Sequence, residues 1–180
     1  MIYTYKECME KWSSNYQIKK QIAAGDLFQI EKGLYSDTPD VSTLAVISAK
    51  YPKAIFTMDS AFYYHGLTDV IPDEYHIATD KHSFYLSDKR IHQYYIQSDI
   101  LNIGVTTMTR RDATFKIYDR ERMLIELLRY KNKLPFDYYK EILGNYRSLI
   151  YELDIERIQE YADTFPKSKM ISEALDAEVF

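Results

Sequence analysis

Five residues near the start of the chain have types and spacing suited to gripping a polyanion: Tyr16, Gln17, Lys19, Lys20 and, further on, Lys32. Lysine ammonium groups neutralise phosphates, while Tyr and Gln can reach phosphates or base edges with their polar tips. If Ile18 and Ile22 form the core stripe of a helix, a rotation of about 100° per residue turns Tyr16 and Lys20 to the exposed side and leaves Gln17 and Lys19 on the flanks. The alternative is a small helical hairpin whose lysines are merely solvated, and three lysines attract phosphate only weakly. Residues 1–38 hold Lys6, Lys11, Lys19, Lys20 and Lys32 against Glu7, Glu10, Asp26, Glu31 and Asp37, so the segment is neutral. With a net charge of −4 for the whole chain, any contact with DNA has to come from a local patch.

Other chemistries find less support. The histidines stand at 65, 76, 82 and 92, with no pair at the i, i+4 spacing of a helical metal site. His65 and His76 can meet in space, but a hydrogen-bonded core or turn histidine is the commoner role. The five glycines, at 25, 33, 66, 104 and 144, do not space as a phosphate-binding loop. The nucleophile-elbow and zinc-protease motifs are absent, and no carboxylate lies two residues before a lysine as in many metal-dependent nucleases; Pro72-Asp73 lacks that lysine. Asp119, Glu121 and Glu126 alternate with Arg120, Arg122 and Arg129, which reads as a solvated, ion-paired helix face. The lone Cys8 forms no intrachain disulfide and reads as a small buried apolar residue. The expectation is a protein that is not an enzyme, with no cofactor and no metal.

An apolar content of 46% predicts an ordinary folded core. The 18 tyrosines suit half-buried sheet surfaces or interfaces. Met1–Lys11 carries four charges and no apolar run, so no signal peptide is expected. Nor does any stretch suit a bilayer span. A soluble, cytoplasmic protein without membrane partners is expected.

The elements that position these residues divide at the turn-rich Ser36-Asp37-Thr38-Pro39-Asp40, giving segments 1–38 and 39–180. In the first, Thr4–Trp12 is predicted as a helix, and Ser13 or Ser14 caps a second helix that runs to Ala24 and closes at Gly25. A hairpin follows, turning at Glu31-Lys32-Gly33. In the second, a helix over 41–50 and strands over 54–58, 75–78, 91–97, 104–109 and 114–118 are predicted, with a short helix over 61–65 capped by Asp59 or Ser60. The short intervening segments predict antiparallel neighbours. From about 119 the chain reads as helical, over 136–143, 146–153, 155–164 and 168–179, broken at Pro135 and Pro166. This is an α+β pattern: a mixed, mostly antiparallel α/β domain with a helical C-terminal part.

Several stretches carry a resemblance to a known family. Gly25–Tyr35 resembles the wing of AbiEi-type antitoxins, with its apolar strand, basic residue and Gly-Leu-Tyr. Ala54–Asp69, with Ser60-Ala61 and His65-Gly66-Leu67-Thr68, is similar to that family's next landmark. Tyr75–Ala78 fits the strand after it, and Ile117–Leu124, with Asp119-Arg120-Glu121-Arg122, resembles its strand-to-helix junction. The resemblance implies a truncated winged helix ahead of an antitoxin domain. It also implies a type IV antitoxin that counteracts a nucleotidyltransferase-like toxin encoded in the same operon, in a module linked to abortive infection by phage. The toxin is the implied functional partner, and operator DNA is implied as a second through autorepression. The chain departs from the family where the usual first helix is missing and where Ala23 and Ala24 replace expected arginines. Two other readings stand beside it: an interaction module that does not bind DNA, and a degenerate nuclease or nucleotidyltransferase.

Overall fold

A computed structural model describes all 180 residues. The chain is α+β, with eight α-helices and two sheets. It separates into two compact units: Met1–Ala54 with Thr107–Phe115, and Ile55–Thr106 with Lys116–Phe180.

In the first unit, β1 (Ile2–Thr4) leads into α1 (Tyr5–Trp12), α2 (Asn15–Ala24), β2 (Phe28–Glu31), β3 (Leu34–Ser36) and α3 (Thr43–Lys50). Local chemistry sets each joint. The Thr4 hydroxyl accepts from the Glu7 N–H, while Glu7 takes the Thr4 N–H at 2.7 Å, a capping box that starts α1. These bonds also hold the Glu7 carboxyl below its ordinary pKa. Ser14 caps α2 through the Gln17 N–H, and Gly25, at φ 79°, ends it. Gly33, at φ 81°, turns the β2–β3 hairpin.

The strand β1 was not anticipated from the sequence; it pairs antiparallel with β3, giving the order β1-β3-β2. Cys8, Ile18, Leu27 and Tyr35 form the core, flanked by Tyr3, Met9, Trp12 and Ile22. The helix α3 packs on β1 and β3, so the turn at 36–40 does not separate two cores. The division into units falls after Ala54, later than the predicted boundary at 38/39.

The second sheet has the order β6-β5-β4-β8-β7, built from β4 (Ile55–Phe56), β5 (Tyr75–Asp80), β6 (Ile91–Ile96), β7 (Val105–Arg110) and β8 (Ala113–Tyr118). Here the predicted antiparallel pairing holds only in part. β4 pairs antiparallel with β5, but β5 pairs parallel with β6, and β4 parallel with β8. The physical reason is reach. The segment from Lys81 to Arg90 is long enough, at roughly 3.3 Å per extended residue, to return beside a six-residue strand without a crossover helix.

The helix α4 (Met58–Tyr64) starts at Thr57 with no side-chain cap; the Ser60 hydroxyl accepts instead from the His76 N–H at 2.8 Å, tying the helix to β5. Then come α5 (Arg120–Arg129), α6 (Phe136–Ser148), a single 3-10 turn at Ile150–Glu152 where a helix over 146–153 was predicted, α7 (Ile155–Thr164) and α8 (Ser168–Glu178).

The reading of α5 as a solvated charged face is overturned. Glu121, Arg122 and Glu126 are all buried, because α4, α6, α7 and α8 each pack against this helix. Asp119 caps it at 2.7 Å from the Arg122 N–H and also receives the Tyr161 hydroxyl. Gly104 lies against it: a side chain there would place its Cβ 2.6 Å from Arg122 Cβ.

Candidate nucleic-acid interface

The second helix of a helix–turn–helix is the element that enters a major groove, and the position of its side chains decides what it can touch. α2 buries Ile18 and half-buries Ile22 against the first core, as their spacing predicts. Tyr16, Gln17, Lys19 and Lys20 are all exposed, Tyr16 to 73%. Lys32 stands apart from them, exposed at the tip of the β2–β3 hairpin. Four of the five predicted residues therefore share one helix, and the fifth belongs to the ribbon that follows it.

The neutral charge count of residues 1–38 hides an uneven distribution. Glu10 pairs with Lys6, Glu31 with Lys50, and Asp37 with the N-terminal ammonium, while Glu7 is taken up by its cap. Only Asp26 among the five acids lies outside these contacts. Lys11 sits over the rings of Tyr3 and Trp12 at 4.6 and 4.7 Å. Lys19, Lys20 and Lys32 are the lysines of this segment left facing solvent without a carboxylate, and α2 itself contains no acidic residue. The local field over α2 is positive, although the segment is neutral.

The hairpin of β7 and β8 adds a further feature to this unit. Asp112 at its turn accepts from the Ser42 N–H at 2.9 Å and from the Ser42 hydroxyl at 2.6 Å. These bonds anchor the turn to the start of α3 and lower the pKa of Asp112. Arg110 and Arg111 at the same turn are exposed.

A second cluster, within the other unit, gathers titratable groups. The His76 ring stacks on His92 at 4.9 Å, its Nδ1 lies 3.0 Å from the Tyr94 hydroxyl, and its Nε2 lies 3.7 Å from Asp59. The Tyr138 hydroxyl donates to Asp59. The tautomer that satisfies these partners accepts from Tyr94 at Nδ1 and carries its proton on Nε2. Burial pushes the pKa of Tyr94 upward, away from an ionised nucleophile. His65, once considered as a partner for His76, is bonded through Nε2 to the Tyr118 carbonyl at 2.7 Å. No group of three or more His, Cys, Asp or Glu side chains converges as a metal ligand set.

Burial lowers the pKa of His76 below its ordinary 6.5, with Asp59 opposing and His92 reinforcing the shift. The folded state thus favours neutral imidazole, and the unfolded chain binds the proton first as pH falls through about 6.5. Stability contributed by neutral His76 is present above that pH and declines below it. Thermal melts at pH 7 and pH 5.5 should show a larger loss of Tm in the wild type than in His76→Gln; equal losses would remove this group as the cause.

No protein-family model and no curated protein matches this chain. No helix is long and apolar enough to cross a membrane.

Proposed function

We propose that this protein is the antitoxin of a two-gene module, counteracting a nucleotidyltransferase-like toxin and repressing its own promoter. The regulatory half rests on one observation: two short helices joined by a turn and followed by a β-ribbon, whose only lysines free of a carboxylate or an aromatic ring are Lys19, Lys20 and Lys32. With β1 pairing to β3, the order resembles a winged helix without its leading helix, and DNA is the polyanion that such a unit would grip.

The antitoxin half rests on the ordered resemblance to AbiEi-type proteins, supported by the physical roles of the matching residues. His65 of the His-Gly-Leu-Thr stretch bonds the carbonyl that immediately precedes Asp119, the start of the Asp-Arg-Glu-Arg stretch. Thr68 donates to Glu141 on α6, and Asp119 caps α5. The resembling segments are thus joints of one framework, and the protein acts as a cytoplasmic binding and regulatory factor rather than an enzyme.

Co-expression decides the toxin claim. A nucleotidyltransferase-like toxin encoded beside this chain should arrest growth alone, and the full-length protein should restore growth. Continued arrest in cells that contain folded, soluble protein would refute the antitoxin reading.

A further inference from the structure

Charge is spread unevenly along this chain. From Tyr151 to Phe180, eight carboxylates stand against three cations, a net of −5, while the whole chain carries −4. Glu156, Glu160 and Asp163 lie at i, i+4 and i+7 on α7, one exposed acidic stripe. Two of the three cations are engaged elsewhere, Arg157 with Asp154 and Asp119 and Lys169 with Glu173, and the third, Lys167, stands at the start of α8.

Beside this stripe runs an open groove. Its first section, about 500 Å³, is lined by Ile150, Tyr151, Leu153, Ile155, Gln159 and Phe180 and is mainly apolar. Tyr151 is fully exposed and Phe180 more than half so. A second recess of about 230 Å³ shares Gln159 and Phe180 and continues between α7 and α8 to Asp163 and Asp176. One end of the groove is apolar and aromatic, and the other is acidic.

We propose that this groove binds a basic amphipathic helix of a partner protein, and this inference stands independently of the antitoxin reading. The helix would seat apolar residues against Tyr151 and Phe180 and set Lys or Arg side chains along Glu156, Glu160, Asp163 and Asp176. Charge selects the occupant: a net of −5 repels nucleic acid and anionic lipid surfaces and attracts a cationic peptide. Geometry agrees with it. The stripe from Glu156 to Asp163 spans roughly 10 Å at 1.5 Å per residue, two turns of a docked helix. Apolar anchors one turn apart, flanked by cations, are the usual terms of helix-in-groove recognition.

The test uses the full-length protein and a fluorescein-labelled Leu/Lys amphipathic peptide of about 18 residues, five helical turns. A second peptide of identical composition but permuted sequence lacks the apolar face. Fluorescence anisotropy should give a Kd on the order of 10 μM for the first peptide and about tenfold weaker binding for the second. Reversing the stripe with E156K/E160K/D163K should weaken binding about tenfold, and so should Tyr151→Ser combined with Phe180→Ser. The milder E160Q/D163N variant should bind at an intermediate level, with an unchanged circular dichroism spectrum showing that the fold survives. Equal binding of both peptides, no binding, or binding indifferent to these substitutions would overturn the proposal.

Discussion

Replacing Arg122 by alanine is expected to lower unfolding stability by about 3–5 kcal/mol, the cost of breaking a buried ion pair by removing one partner. The guanidinium is completely buried and occupied on every side. Nε and Nη2 donate to one Glu126 oxygen at 3.1 and 2.7 Å, and Nη1 donates to the carbonyls of Ile100 and Ile103. Its plane lies over the rings of Phe165 and Tyr118, at 3.9 and 4.4 Å. Truncation removes a donor from the Ile100 and Ile103 carbonyls, the first of them buried, and opens a cavity between the aromatic rings. It also leaves Glu126, 2% exposed, with Arg129 as its remaining cationic partner.

Arg122→Lys should recover little, because a point charge cannot reproduce the planar fork. The double variant Arg122→Met/Glu126→Leu should be less destabilised than Arg122→Ala, since it removes both buried charges and refills the volume. Urea unfolding of the three variants measures this directly. A loss under about 1 kcal/mol for Arg122→Ala would mean that the network contributes no more than an exposed pair.

Arg122 also marks where the sequence could and could not be read. The i, i+4 spacing of Arg122 and Glu126 correctly implies that they pair. Spacing says nothing about what covers the pair, and the helix was read as solvated. A signal was nonetheless present. Met123, Leu124, Ile125, Leu127 and Leu128 cover an arc of about 200°, wider than the roughly 100° stripe of a surface helix, the pattern of a helix covered on more than one side.

The first unit was far more legible, because its joints are local. Thr4, Ser14, Gly25 and Gly33 each perform the capping or turn role that their residue type favours. The strand β1 escaped because three residues carry no alternation to recognise, and only pairing with β3 makes them a strand. Parallel pairing of β5 with β6 escaped for a related reason: the direction of the returning chain is set by tertiary packing, not by the composition of the loop. Among the predicted contact residues, exposure was readable from the phase of Ile18 and Ile22. What could not be read was the engagement of nearby acids, because Glu31 meets Lys50 across the fold and Asp37 meets the N-terminus.

That engagement sets the expected behaviour on DNA. The wild-type protein should retard a duplex carrying its own promoter at low salt, and Lys19→Ala/Lys20→Ala/Lys32→Ala should bind on the order of 100-fold more weakly at about 0.1 M salt. Each lysine that neutralises a phosphate adds about 0.9 to the slope of log affinity against log salt, so the triple variant should lose a slope of roughly 2.7. Lys6→Ala serves as the control, because this lysine, also exposed, already faces Glu10 and should change little. If all lysines acted only through bulk charge, Lys6→Ala would weaken binding as much as any single change on α2. Tyr16→Ala separates recognition from attraction: loss of a base or sugar contact lowers affinity without altering the salt slope. Mobility shifts at several salt concentrations resolve these outcomes. An unshifted promoter with wild-type protein, or a triple variant that binds like wild type, would mean that the positive face of α2 has another use and would leave the antitoxin reading without its regulatory half.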